Sequence, residues 1–130
     1  MLNPVARDKL EAIWPWVLAG LKEVEQKHDL DWSFEELRSA LVLNKAVLYT
    51  WGQDDGFCVL QRSEDRNGVV LFVWVLWGPG EHESQHIEIN RDLDAIAKGI
   101  GATRVRCRGR RGWSKMGYKI TDTIMERQVW

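Results

Sequence analysis

The sequence predicts an α/β fold whose central sheet is mixed and mostly antiparallel, with the element order ααβββαβ(α)β. Three observations predict it. Two stretches with helical periodicity open the chain, three strand-like runs joined by short turns follow, and an amphipathic helix then separates the last strands. At 130 residues the chain is expected to form one domain, residues 1–130, which is large enough to bury a core.

The first helical stretch carries apolar residues at helical spacing, namely Leu10, Ile13, Trp14, Val17, Leu21 and Val24. Asn3 and Pro4 are typical of a helix start, with Asn3 as N-cap and Pro4 at the first helical position. We therefore expect the chain to open directly with a helix. Pro15 cannot donate to the carbonyl of Glu11, so a kink there, or a new helix from about Trp14, is also expected.

The second helix is predicted from the residues at its N-terminus. Ser33 and Glu36 have the spacing of a capping box, in which each side chain hydrogen-bonds the other residue's backbone N–H. This helix is expected to run to about Leu43 or Asn44. The two helices, joined by a polar connection, are interpreted as a packed pair.

Three strand candidates follow, Ala46–Trp51, Phe57–Arg62 and Val69–Trp77. Glycine, asparagine and aspartate in the short connections predict an antiparallel meander. The third run is apolar at every position, which is typical of a central strand covered on both faces.

A Gly-Pro-Gly sequence then ends the third strand, and an amphipathic helix is expected over residues 83–98. The strand Thr103–Arg108 comes next, so strand, loop, helix and strand form a crossover unit with parallel strands. A short turn or helix at Trp113–Met116 is expected to lead to a last strand, about Tyr118–Val129.

Charge is unevenly distributed along the chain. Residues 99–130 hold eight basic residues and two acids, a net charge of +6, whereas residues 1–98 carry −7. This polarity predicts a C-terminal face that attracts anions such as phosphate. The sequence pI of about 6.3 argues against a dedicated nucleic-acid binder, although DNA contact through the arginines stays open as a weaker interpretation.

The cysteines and the apolar runs bear on location. Cys58 and Cys107 are isolated, lack metal-ligand spacing and fall in apparent strands, so they are interpreted as buried thiols of a protein in the reducing cytoplasm. The longest apolar run, Val69–Trp77, is too short to span a bilayer, and no membrane partner is expected.

The stretch Arg104–Tyr118 holds five arginines and one lysine with no acid. Arg104, Arg106 and Arg108 alternate along a strand and should share one face. Two interpretations stay open. These arginines pair with acids of the first half of the chain, or they, or the turn at Arg110 and Arg111, hold the phosphates of an anionic ligand.

Residues 82–86 read His-Glu-Ser-Gln-His, which satisfies the letters of a zinc-binding HExxH motif. Here they straddle an expected helix start, and His28 is the only other histidine, so no metal is predicted. A general-base role for His82, Glu83 or His86 toward an amine substrate is retained as a hypothesis.

The element order resembles that of the GNAT acyltransferase superfamily, with Val69–Trp77 as its central strand. Trp113, Gly117 and Tyr118 match the family pattern of an aromatic residue, three residues, glycine and an aromatic residue. A closer resemblance is to small GNAT-like proteins encoded by tailed phages and prophages. They share Trp14-Pro15, a helix ending in Ala-x-x-x-Gly, and an arginine-rich strand leading into Gly-Arg-x-Gly-Trp at residues 109–113.

The resemblance implies a splayed pair of parallel strands that binds acetyl-CoA. It places the pantetheine on the edge of Val75, Leu76 and Trp77 and the pyrophosphate on the loop from Gly78 to Glu83. The cofactor-binding residues expected are therefore Val75, Leu76, Trp77, Gly78 and Gly80, with Arg110 and Arg111. The catalytic candidates are Glu83, His86 and Tyr118.

The sequence differs from the family pattern in three ways. The loop has Pro79, which lacks an N–H, and Glu81 and Glu83 in place of the family's pyrophosphate motif. Trp113 stands where many relatives have a tyrosine proposed to protonate the departing thiolate, which leaves Tyr118 as the candidate acid. The family's first strand is expected to be missing.

Two functions remain open at this point. One is an acetyl-CoA-dependent N-acyltransferase with a small-molecule or protein amine as acceptor, working in the cytoplasm of a host cell. The other is a catalytically inactive phage protein that keeps the fold, has phage structural proteins as partners and takes part in assembly or in the virion.

Overall fold

The computed structural model describes residues 2–27, 30, 32–52, 55–78, 83–108, 119–121 and 124–129. Its helices are α1 (Leu10–Lys27), preceded by a short 3-10 turn at Arg7–Lys9, α2 (Phe34–Val42) and α3 (Glu83–Gly99). Its strands are β1 (Leu2–Pro4), β2 (Val47–Trp51), β3 (Gly56–Asp65), β4 (Gly68–Trp77), β5 (Arg104–Arg108), β6 (Lys119–Thr121) and β7 (Ile124–Gln128).

These strands form one mixed sheet in the order β1-β2-β3-β4-β5-β7-β6. Strands β4 and β5 are parallel, and the other neighbouring pairs are antiparallel. Strand β4 occupies the centre, as its all-apolar sequence predicts. The predicted meander of β2, β3 and β4 and the crossover through α3 are both confirmed.

The prediction that the chain opens with a helix is wrong. Leu2–Pro4 is an edge strand, with Leu2 opposite Trp51 and Pro4 opposite Tyr49. Proline is tolerated on an edge strand because its missing N–H is not needed by a second neighbour. The backbone N–H of Leu2 also donates to the carboxylate of Asp92 in α3 at 2.8 Å, and the expectation that the chain lacks a first strand before its helices is wrong.

Helix α1 passes through Pro15 as one element, so no second helix begins near Trp14. Proline removes only the bond to the carbonyl of Glu11. Val17 and Leu21 are fully buried on the following turns, and this packing holds the helix together. At the start of α2, Ser33 Oγ accepts a hydrogen bond from the Glu36 N–H at 3.1 Å, which confirms the predicted cap.

The connection between β3 and β4 is tighter than predicted. Asp65 lies opposite Gly68, so the turn consists of Arg66 and Asn67, and Gly68 adopts a φ of 117° that favours glycine. The expected last strand is instead two short antiparallel strands, β6 and β7, with β7 lying between β5 and β6. The expected turn or helix at Trp113–Met116 lies outside the described residues.

The sheet has a hydrophobic core on each face. On one face the apolar side of α3, formed by Ile89, Leu93 and Ala97, packs against strand residues such as Leu71 and Val105. On the other face α1 and α2 cover Phe57, Val59, Val75 and their neighbours. Among the described helices none is both long and apolar enough to cross a membrane.

Candidate functional site

The two parallel strands at the centre of the sheet separate toward their carboxyl ends. Pairing between β4 and β5 runs from Val70 opposite Arg104 to Val73 opposite Cys107. Strand β4 then continues for four residues, to Trp77. This is the splayed parallel pair that the resemblance implies. A cleft between parallel strands at their carboxyl ends is a common place for a ligand in α/β proteins.

A β-bulge in β4 lies where the splay begins. Val59 of β3 is opposite Val75, but the next residue, Leu60, is opposite Val73, so Trp74 is an additional residue on β4. The bulge changes which face the side chains occupy. Leu71 and Val73 belong to the core under α3, whereas Val75 and Trp77 belong to the core under α1 and α2.

Four of the predicted cofactor-binding residues are contiguous at this place. Val75, Leu76 and Trp77 end β4 beyond its last pair with β5, and Gly78 begins the connection to α3. The catalytic candidates Glu83 and His86 lie in the first turn of α3. Gly80, Arg110, Arg111 and Tyr118 lie outside the described residues, so their roles stay predictions.

Gly78 is required by close packing. A Cβ atom at this position would lie 2.8 Å from Cζ2 of Trp51, nearer than side chains approach one another. Within the described part of the chain, Trp51 Nε1 is a buried donor without a hydrogen-bond partner. A buried polar atom left unpaired is rare, and this one belongs to the ring that packs on Gly78.

Two of the arginines expected near a phosphate are engaged elsewhere. Arg104 and Arg106 each donate a hydrogen bond to Asp65 at 2.8 Å, and Arg104 makes a second bond to the other carboxylate oxygen. These bonds, of which the one from Arg104 has the largest effect, hold the pKa of Asp65 well below its usual range. For Arg104 and Arg106 the interpretation as partners of acids is therefore the correct one.

The position of this ion cluster also separates it from the splay. Arg104 lies opposite Val70, seven residues before Trp77 on β4. At about 3.3 Å per residue, that is roughly 20 Å along the strand. Arg104 and Arg106 therefore stabilise the other end of the sheet, and they do not form a wall of the cleft.

The end of β4 carries a polar contact that the sequence does not reveal. Trp77 Nε1 donates a hydrogen bond of 2.8 Å to Oε2 of Glu23 in α1, 54 residues away. Glu23 is exposed and Trp77 is half-buried. A tryptophan at the end of an apolar strand needs a hydrogen-bond acceptor for its N–H. Beyond that requirement, the sequence contains no indication of the contact with Glu23.

Aromatic rings line the α1 and α2 side of the splay. The ring of Trp16 meets that of Trp77 edge-on at a centroid distance of 5.7 Å, and Trp32 meets Trp74 in the same way at 5.9 Å. These four tryptophans are half-buried. The side of the cleft opposite α3 is therefore apolar, with the carboxylate of Glu23 at its end.

Both cysteines are buried in strands, as predicted. Cys58 and Cys107 are reduced thiols that expose 0% and 1% of their surface. Burial, and to a smaller extent the charge of Asp92, raises the pKa of Cys58 far above its usual range. Neither thiol is placed to act as a nucleophile, because both are buried in strands.

No protein-family model matches the chain, and no curated protein matches it. Solved structures do. A probable acetyltransferase from Staphylococcus epidermidis superposes with a TM-score of 0.71 at 9% identity, covering 100% of this chain and 99% of that one. An acetyltransferase of the GNAT family from Listeria monocytogenes gives 0.67 at 7% identity, covering 98% and 94%.

A third similar structure belongs to a protein that is named for its acceptor. An aminoglycoside acetyltransferase from a soil metagenomic sample gives a TM-score of 0.62 at 11% identity, covering 89% of this chain and 81% of that one. Identities this low show the fold alone. The chain has the GNAT fold, a mixed and mostly antiparallel sheet with one splayed parallel pair.

The ligand expected from the resemblance is acyl-CoA, and the residues at the splay fit part of it. The end of β4 beyond its pairing with β5 offers an extended backbone to an equally extended arm. At Gly78 a Cβ would collide with Trp51, so the backbone packs directly on that ring. The start of a 17-residue helix is a suitable place for phosphate, although Glu81 and Glu83 bring negative charge there.

Proposed function

We propose that the protein is an acyl-CoA-dependent N-acyltransferase. The observation that supports this most directly is the end of pairing at Val73 and Cys107 while β4 continues to Trp77. The splay lies at the bulge, in the centre of a sheet with the GNAT fold, and leads through Gly78 toward a long helix. No other part of the described sheet combines these features.

The chain's own groups would act mainly by positioning. The backbone of Val75, Leu76 and Trp77 would bind the extended arm of the donor, and the N–H groups at the start of α3 would face its phosphates. The bound donor supplies a thioester carbonyl as electrophile. Holding an amine in line with that carbonyl converts a bimolecular reaction into an effectively unimolecular one.

A second function, a phage structural protein that keeps the fold without the chemistry, is favoured by the loop sequence. Pro79 cannot donate a hydrogen bond, and Glu81 and Glu83 repel phosphate. Trp113 also stands where many members of the superfamily have an acid. The partners of such a protein would be other components of the phage particle.

Calorimetric titration with acetyl-CoA distinguishes the two functions. An acyltransferase is expected to bind it with a dissociation constant below millimolar, and at a hundredfold excess over that constant the folded state gains about 2.7 kcal/mol. Pantetheine, which lacks the nucleotide phosphates, serves as the matched ligand and is expected to bind more weakly. No heat and no thermal stabilisation at millimolar acetyl-CoA would reject the enzyme and support the structural protein.

A further inference from the structure

Two large apolar side chains are exposed at the end of α2. Val42 exposes 47% of its surface and Leu43 exposes 61%, and within the described part of the chain no other large apolar side chain is exposed. The N–H of Leu43 donates to the carbonyl of Ser39 at 2.9 Å. Asn44 follows with a φ of 58°, a left-handed conformation that asparagine tolerates. A hydrogen-bonded turn therefore presents the Val42–Leu43 pair to solvent.

An open apolar groove lies next to this pair. This β1 groove has a volume of about 470 Å³ and lies between the edge strand β1 and the start of α1, where it is lined by Pro4, Val5, Ala6, Lys9, Ala12 and Ile13. Arg7 belongs to the short turn between these two elements, and its guanidinium donates to the carbonyl of Val42 at 3.1 Å. The β1 groove and the Val42–Leu43 pair are therefore neighbours.

The lining of the β1 groove suits apolar side chains better than a small ligand. Among its described lining residues, Lys9 alone has a polar side chain. A small-molecule site orients its ligand with several polar groups that converge on it. Apolar surface that is exposed and bordered by charged residues is instead typical of contact with another protein.

The adjacent edge of β1 cannot accept a peptide as a further strand. Alternate N–H groups of a strand face its antiparallel neighbour, and the N–H of Val5 donates to the carbonyl of Leu48. The outward positions in β1 are therefore those of Leu2 and Pro4. The N–H of Leu2 is bonded to Asp92, and Pro4 has no N–H. Since β1 has no outward N–H left for strand pairing, association at this edge must use side chains.

The charges beside the pair and beside the groove favour contact between two copies of the chain. The exposed Lys45 follows the Val42–Leu43 pair, and the exposed Asp8 and Glu11 precede the groove residue Ala12. Asp8 lies about one helical turn before Ala12, so the two are on the same side of α1. A lysine that accompanies the pair of one protomer therefore meets acids at the groove of its partner, and opposite charges stabilise the correct orientation.

A two-fold axis allows both features to be used at once. In such an interface each protomer contributes the same patch, so every contact occurs twice. We propose that the protein forms a homodimer in which Val42 and Leu43 of each protomer enter the β1 groove of its partner. This interface leaves the cleft at the end of β4 free, because β1 is three strands away, roughly 14 Å across the sheet.

Sedimentation velocity tests the dimer. The wild type is expected to approach twice 15.1 kDa as its concentration rises through the micromolar range. Leu43→Glu would bury a charge in an apolar groove, so it should raise the dimer dissociation constant at least tenfold. Ala95→Glu is the matched control, because Ala95 is exposed on α3, which covers the opposite face of the sheet. A wild type that stays at 15.1 kDa overturns the proposal. Association of Leu43→Glu as tight as that of Ala95→Glu does so too.

Disulfide cross-linking tests the contact itself and does not depend on a charged variant. Leu43→Cys and Ala12→Cys are expressed together, with a tag on one chain, so that one thiol lies on the pair and the other in the groove. Cys58 and Cys107 are buried, so the introduced thiols react first. A disulfide between tagged and untagged chains should form faster than either variant links to itself. Equal rates would show that Leu43 lies outside the partner's groove, and the proposal would be wrong.

Discussion

Gly20 of α1 faces the indole of Trp77 with no room for a side chain. A Cβ atom at position 20 would lie 2.8 Å from Cδ2 of Trp77 and 2.7 Å from Cε1 of Phe57. The absence of a side chain therefore lets α1 approach the end of β4. That approach brings Glu23, three residues further along the helix, within hydrogen-bond distance of Trp77.

Gly20→Ala is expected to destabilise the protein. The added methyl group overfills the space between α1 and the sheet, which typically lowers the free energy of unfolding by about 1–3 kcal/mol. The higher helix propensity of alanine offsets about 1 kcal/mol of this. Urea unfolding measures the difference. Gly99→Ala in α3 is the matched control, since nothing lies within 4 Å of its added Cβ, and it should be neutral or slightly stabilising.

Gly78→Ala should impair ligand binding more than folding. Its Cβ would meet the ring of Trp51, which also packs tightly against Gly56, so the backbone at Gly78 must move instead of the ring. Displacement of this backbone, directly after Trp77, is expected to weaken acetyl-CoA binding at least tenfold by calorimetry. An unchanged dissociation constant would show that Gly78 takes no part in the site.

The ion cluster at Asp65 predicts a specific pH dependence. The pKa of Asp65 is lowered in the folded state, so its contribution to stability is fully present above the ordinary value of about 4 and is lost as the pH falls further toward the folded pKa. Asp65→Asn should lower the melting temperature at pH 7, because Arg104, only 7% exposed, loses its carboxylate. The deficit should shrink as the pH falls below about 4.

Glu64→Gln is the control for that comparison. The ion pair between Glu64 and Arg62 is 2.6 Å long, but both side chains are more than half exposed. Removing this pair should therefore change the melting temperature little. Equal melting temperatures for Asp65→Asn and Glu64→Gln at pH 7 would show that the cluster does not stabilise the fold.

The thiols should be unreactive in the native protein. Cys58 and Cys107 are buried, and the pKa of Cys58 is raised by that burial. Ellman's reagent is expected to detect no thiol without denaturant and two with it. A rapid native reaction would place a cysteine at the surface. The same reagent can therefore follow release of CoA with little background from the protein.

Much of the fold can be predicted from the sequence because its strongest signals are local. The all-apolar run of β4 predicts a central strand, and the Ser33 cap predicts the start of α2. Leu2–Pro4 could not be recognised as a strand. Its three residues are held by pairing with Trp51 and by Asp92, 90 residues away from Leu2, while Asn3-Pro4 resembles a helix start.

The candidate site was only partly predictable for the same reason. Val75–Trp77 were expected to bind the donor because the resemblance places it on the end of the central strand, and the structure shows that this end extends beyond the pairing with β5. The contact between Glu23 and Trp77 joins residues 54 apart, and no periodicity indicates it. The sequence predicts that Arg104 can pair with an acid, but it does not indicate which one. Asp65 becomes the partner only through the register of the sheet.

The additional residue Trp74 reverses the alternation of side chains along β4. Before it, odd-numbered side chains point toward α3; after it, they point toward α1 and α2. Deleting Trp74 alone would restore a regular ladder and leave Val75, Leu76 and Trp77 opposite Val59, Cys58 and Phe57, on the faces that they occupy now. The bulge therefore adds one large side chain, the indole of Trp74, to the face under α1 and α2.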